Sequence, residues 1–280
     1  MGWLSVKKSI LIILFILAQT IMVLGQEEVM VFDELKFESE IELNYWKEGQ
    51  QSPYKLFRSV NVNPDLKDQK WEDLLIDLDK KYAKKGKSIA LLRSIFEKPH
   101  RKLFKKYEQH STFNAMLQDG KFDCVSGSAA LGLLLDRYSF NYKIIETDYH
   151  VFIVVDYDEQ DIIFESTLPI GGMISSPTKV EAYLAAYKPT KNSQFYPLNQ
   201  RLGDPTQVLN DNSIFRKVSL HELAGLQYYN DAIAHFNQQM FTVASNQLTK
   251  ALVLYPSDRI KDLKDLAIEH AYKTTGRDIK

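Results

Sequence analysis

Residues 120–167 read GKFDCVSGSAALGLLLDRYSFNYKIIETDYHVFIVVDYDEQDIIFEST. Positions 125–138 are apolar nearly all round, which predicts a helix buried on every side. Three short runs follow, 142–146, 151–156 and 162–167, rich in β-branched and aromatic residues, and these predict strands. Tyr157-Asp158-Glu159-Gln160, between the last two, predicts a polar hairpin loop. A buried helix packed on such strands is an α+β fold.

The same block holds the side chains that carry chemistry. Cys124 is the only cysteine of the 280 residues, so no internal disulfide can form. It opens the buried helix, with Asp123 placed to cap it. Unpaired N–H groups and the positive dipole end at a helix start favour a thiolate, so the thiol is expected to titrate below its ordinary value of about 8.5. Ser126 and Ser128 keep the first turns polar, whereas a structural cysteine fits better among the leucines further on. A thiolate nucleophile needs a proton carrier. Of six histidines, His150 alone shares the block and sits at a strand start. Glu165 lies inside an apolar run, where a carboxylate needs a partner. With a four-residue loop, position 152 faces 165, and His150 and Glu165 become diagonal neighbours on one face. A loop one residue longer puts them on opposite faces.

This order and setting resemble the transglutaminase-like superfamily of papain-type folds. There a Cys opens a helix, a His opens a following strand, and an acid closes the next. Phe122-Asp123-Cys124, His150-Val151-Phe152 and Glu165-Ser166-Thr167 stand where that family has its three catalytic segments. The resemblance covers roughly residues 110–190. It implies a papain/transglutaminase-like core and a thiol hydrolase or acyltransferase acting on amide or peptide-like bonds. Cys124 is then the nucleophile, His150 the proton carrier and Glu165 the orienting acid. The backbone N–H of Cys124 is one natural oxyanion donor. Gln118, six residues upstream in a predicted loop, matches the spacing of the papain-type glutamine and is a second candidate donor. Two departures stand out. The acid is Glu where Asp is commoner, and the 26-residue gap from Cys124 to His150 omits any substrate-binding elaboration. No acidic calcium-loop pattern is evident, so calcium-dependent cross-linking is not implied. Two alternatives remain. Phe122-Asp123-Cys124 followed by Ser126-Gly127 also resembles the NlpC-type peptidoglycan peptidases, although Val125 is inserted and the His comes early. The other is an inactive transglutaminase-like core serving as a binding module of a cell-envelope assembly.

Outward from this block, the chain starts with an export signal. Lys7 and Lys8 precede an apolar run at 10–18, weaker apolar character reaches Leu24, and Gly25 offers a small cleavage-site residue. The apolar stretch falls short of the roughly 20 residues of a membrane-spanning helix. A signal peptide over 1–25 is expected, with a periplasmic or extracellular destination. Its removal takes away two positive charges and moves the net charge from −1 to −3. Neither sign dominates, so no nucleic-acid surface is expected, nor is a later membrane span. No HExxH pattern and no Cys cluster is present, so no metal and no cofactor is predicted.

The remainder divides into a helical region at 26–108, the core at 109–190, a linker at 191–218 rich in Pro, Asn, Gln and Asp, and helices at 219–280. In the first region a stripe at Trp71, Leu74, Leu75, Leu78 and Tyr82 predicts one helix, and 88–96 and 101–107 predict two more. A helix is also expected at 180–187. In the last region Tyr228, Ala232, Phe241, Ala244, Ala251 and Pro256 fall at the spacing of one tetratricopeptide-like repeat. A single such unit buries too little surface alone. The hairpin, with a third helix at 260–272, is therefore expected to dock on the core through Tyr228, Tyr229 or Phe241, or to meet a protein partner. A peptide or protein is the expected substrate.

Overall fold

The computed structural model describes residues 35–189 and 214–276. The span 1–25, expected to be a signal peptide, and most of 191–218, expected to be a linker, lie outside the described residues. From Ser39 onward the chain forms one compact unit, described below.

Four helices lead in: α1 (Glu40–Gly49), α2 (Pro53–Arg58), α3 (Gln69–Lys85) and α4 (Ile89–Lys102). The Ser39 hydroxyl caps α1, accepting the Glu42 N–H at 3.1 Å. The expected stripe on α3 buries Trp71, Leu74 and Leu78. Where two helices are expected between 88 and 107, one helix and a strand stand instead. Pro99 falls in the last turn of α4, and its carbonyl accepts the N–H groups of both Leu103 and Phe104. So the helix runs on past the residue that ordinarily breaks it. The chain then turns into β1 (Lys106–Tyr107), passes through α5 (Phe113–Asp119), and returns as β2 (Lys121–Phe122) in parallel with β1.

α6 (Cys124–Arg137) is the predicted buried helix, with ten of its residues enclosed. It is followed by β3 (Asn141–Thr147), β4 (Val151–Tyr157), β5 (Gln160–Phe164), β6 (Met173–Ile174), α7 (Pro177–Tyr187) and β7 (Phe215–Val218). The strands form an antiparallel sheet in the order β6-β5-β4-β3-β7. The fold is thus mixed α+β. β7 falls inside the span expected to be a linker. Its residues FRKV are too polar to read as a strand, because it is a sheet edge whose ladder partner among the described residues is β3. One face of the sheet, with Ile145, Phe152, Val154 and Ile163, is covered by Val180, Tyr183, Leu184 and Tyr187 of α7. α6 packs against β3 and β4. The strands therefore read as continuous apolar runs.

The β4–β5 connection is tighter than expected. Tyr157 pairs with Gln160, leaving Asp158 and Glu159 as a two-residue turn with φ of 54° and 60°. Both angles lie in the left-handed region of a type I′ turn, whose twist matches the hairpin. The register pairs Ile153 with Phe164, which sets Phe152 opposite Glu165.

α8 (Leu220–Asn237), α9 (Phe241–Leu254) and α10 (Asp258–Thr275) complete the unit. They dock within their own chain. The fully buried Tyr228 meets Trp46 edge-on at 5.4 Å, and its hydroxyl lies 2.8 Å from Ser59 Oγ. Gln227 accepts the Phe113 N–H and donates to the Phe57 carbonyl. Lys250 on α9 forms a buried ion pair with Glu42 on α1 at 2.5 Å. Phe241, by contrast, packs against Phe236 and His270 in the helices' own seam. A second enclosed carboxylate, Glu146 on β3, binds Arg216 of β7 at 2.7 Å together with Tyr255 and Arg259. Among the described residues no helix is long and apolar enough to cross a membrane.

Candidate active site

The thiol stands on the first residue of α6. Asp123 is the N-cap: its Oδ1 accepts the Ser126 N–H at 2.8 Å and the Ser126 hydroxyl at 2.9 Å, while its own N–H donates to Ser126 Oγ. Asn230 of α8 donates to the other carboxylate oxygen at 3.1 Å. The helix start lies so close to the segment after β5 that a Cβ on Gly127 would stand 2.8 Å from Ser166 Cβ, which requires glycine there.

Cys124 is half-buried, and the backbone N–H of Val151, first residue of β4, lies near enough its sulfur to favour the thiolate. The expected lowered thiol pKa is not what this setting produces. Burial, then the Asp123 carboxylate and the charge of Glu165, outweigh the N–H groups of Val151 and Cys124 and push the thiol up to about 12. The helix start does supply donors, but the cap that organises it brings a negative charge beside the sulfur. Asp123 responds too: burial raises its carboxyl to about 6 in spite of the bonds from Ser126 and Asn230. Asp123→Asn keeps a capping side chain and removes that charge. Its thiol is expected to titrate lower than that of the wild type, as read from alkylation rate against pH. An unchanged profile would show that the Asp123 charge does not raise the thiol.

His150 follows the β3–β4 connection, where its N–H donates to Thr147 Oγ1 at 3.1 Å and its carbonyl accepts from Thr147. Its Nε2 donates to Glu165 Oε2 at 2.5 Å. The ring stacks on Tyr187 of α7, centroids 5.7 Å apart. Glu165 stands just past the end of β5. Its Oε1 accepts from the Thr167 N–H at 2.9 Å and the Thr167 hydroxyl at 2.6 Å, and its Oε2 also accepts from the Tyr183 hydroxyl. Burial by itself would raise this carboxyl, but His150, Thr167 and Tyr183 more than offset it and hold it at about 2. The carboxylate is fixed from four directions and the imidazole is held on Nε2, which leaves Nδ1 as the nitrogen able to take a proton. Among the described residues no hydrogen bond joins Nδ1 to the Cys124 thiol.

Gln118 stands elsewhere. It lies on a helix rather than a loop, exposed near the end of α5, which stops at Gly120 with φ of 74°. Its side-chain oxygen accepts from Asn63 at 3.0 Å and its carbonyl from Lys70 at 2.8 Å. Neither of these hydrogen bonds reaches Cys124. Tyr183, Tyr187 and Asn230, by contrast, enter the site without having been singled out in the sequence, and Thr167 is singled out there only as part of the Glu165 segment. The available signal was the spacing of Tyr183 and Tyr187, four apart on one helix face. Among the described residues no group of three or more His, Cys, Asp or Glu side chains is arranged to hold a metal ion.

No protein-family model matches the chain. No curated protein and no solved structure matches it either.

Proposed function

We propose that the protein is an exported thiol hydrolase or acyltransferase with a papain/transglutaminase-like core, acting on amide or peptide-like bonds. One observation carries this reading: the short hydrogen bond from His150 to the buried Glu165 carboxylate, made one residue before Val151, whose N–H lies near Cys124. In the reaction, the Cys124 proton passes to His150 Nδ1 as the sulfur attacks the substrate carbonyl. Glu165 keeps Nε2–H in place and stabilises the imidazolium. The Cys124 N–H is the natural donor to the developing oxyanion. Collapse breaks the C–N bond, His150 returns its proton to the leaving amine, and a thioester remains. Water or a second amine then takes up the acyl group and the thiol is restored. Export, to the periplasm or the extracellular space, follows from the basic and apolar character of residues 7–24.

A second reading is an inactive core used as a binding module. The thiol raised to about 12 and the missing Cys124–His150 hydrogen bond favour it. Iodoacetamide separates the two. An enzyme alkylates at Cys124 near neutral pH, because His150 accepts the proton, and His150→Ala moves that reactivity far into the alkaline range. A wild-type thiol that stays inert until strongly alkaline pH, or until the protein unfolds, would overturn the enzyme reading and leave the binding module.

A further inference from the structure

A second histidine stands behind the His150–Glu165 pair. His100, on α4, has its Nε2 2.9 Å from the Ser166 carbonyl oxygen and its Nδ1 2.8 Å from that of Phe96. The peptide unit whose carbonyl faces His100 also carries the Thr167 N–H, which donates to Glu165 Oε1 at 2.9 Å. A trans peptide is planar, with its C=O and N–H pointing in opposite directions. The two contacts are therefore made by opposite ends of one rigid group. A continuous line of hydrogen-bonding groups runs from His100 through the Ser166–Thr167 peptide and Glu165 to His150.

The His100 ring is also fixed in place. It belongs to an aromatic column of Phe164, Phe96, His100, Phe104 and Phe122, with successive centroids 5.1, 4.5, 4.9 and 4.8 Å apart. The column ties the end of β5, just before Glu165, to β2, just before Asp123 and Cys124.

We propose that His100 is a positioning residue of this site: carrying a proton on Nε2, it donates to the Ser166 carbonyl, polarises that peptide and aims the Thr167 N–H at Glu165. The inference rests on the roles given above to His150 and Glu165. Hydrogen bonds in series reinforce one another in a low-dielectric interior. A neutral imidazole has one N–H and satisfies one of the two carbonyls, whereas an imidazolium satisfies both. Either form works if Nε2 bears the proton. A neutral ring protonated only on Nδ1 breaks the line.

Nitrogen-15 NMR of the wild-type protein reads this directly. A protonated Nε2 on His100 is expected, and a ring protonated on Nδ1 alone would overturn the proposal. Two variants extend the test. His100→Phe keeps the aromatic column and removes the donor, and His100→Gln returns an N–H of similar reach. The Thr167 amide proton is expected to move upfield in H100F and to return toward its wild-type position in H100Q. In the same order, kcat should fall on the order of tenfold at unchanged KM and then recover. A folded H100F with an unmoved Thr167 amide overturns the proposal. If H100F does not fold, the wild-type ring assignment and H100Q decide. If the amide moves as expected while the wild type shows no thiol-dependent turnover, the positioning role stands and the enzyme reading falls.

Discussion

Replacing His150 with Ala is expected to slow acylation of Cys124 by about 10³–10⁴-fold, the scale on which a nucleophile loses its proton acceptor. The measurement is the burst of product released from an activated peptide ester, with Cys124→Ala as the zero. The size follows from the resting thiol, which burial and Asp123 hold up at about 12, so that at neutral pH the sulfur depends on a neighbouring base. Glu165→Gln should cost less, about 10²-fold, because Thr167 and Tyr183 still orient the side chain beside His150. If His150→Ala acylates within a few-fold of the wild type, the imidazole takes no part. The acid limb of the pH profile is not set by Glu165, which is held at about 2 and stays ionised above that. Its depressed pKa stabilises the fold above the unfolded value of about 4.5, and that contribution is lost as pH falls through about 2. Asp123 works the other way. Its raised pKa destabilises the fold above about 6, and the cost is relieved as pH falls toward the unfolded value near 3.8.

Lys250→Met is expected to destabilise the protein by about 3–5 kcal/mol, because it removes the cation that balances the buried Glu42 carboxylate. The two side chains are 1% and 5% exposed, so water cannot take over the lost contact without opening the α1–α9 junction. The double variant Glu42→Met/Lys250→Met should recover most of the loss, since an apolar pair needs no counter-charge. Urea denaturation of the four proteins of this cycle gives the coupling directly. A single Lys250→Met variant within about 1 kcal/mol of the wild type would mean that the pair behaves like a surface ion pair.

What could be read from the chain alone follows the range of the forces involved. The β4 and β5 runs are legible because both faces of the sheet are covered and nearly every position is apolar. The facing of Phe152 and Glu165 is legible because hairpin parity survives the change from a four-residue to a two-residue turn when both ends close by one pair. β7 is not legible, since a polar edge strand takes its identity from the ladder it joins. Nor are Tyr183 and Asn230 as site residues, because α7 and α8 reach Glu165 and Asp123 only through the tertiary fold. The thiol's pKa defeats local reasoning for another reason. Its sign is a difference between helix-start donors, which the sequence announces, and burial beside a carboxylate, which only packing reveals.

Glu146 gives the chain a schedule. Its partners Arg216, Tyr255 and Arg259 come 70, 109 and 113 residues later. During synthesis β3 is complete long before any of them exists. Burying Glu146 without them would cost several kcal/mol, so this end of the sheet is closed only together with its partners. The complete set of contacts around Glu146 therefore requires Arg259 of α10, so this part of the sheet is held by contacts distant in sequence. His150 and Glu165 lie on the hairpin beside β3, so a chain cut before Arg216 is expected to lose the Glu146 contacts that hold the strand next to the site.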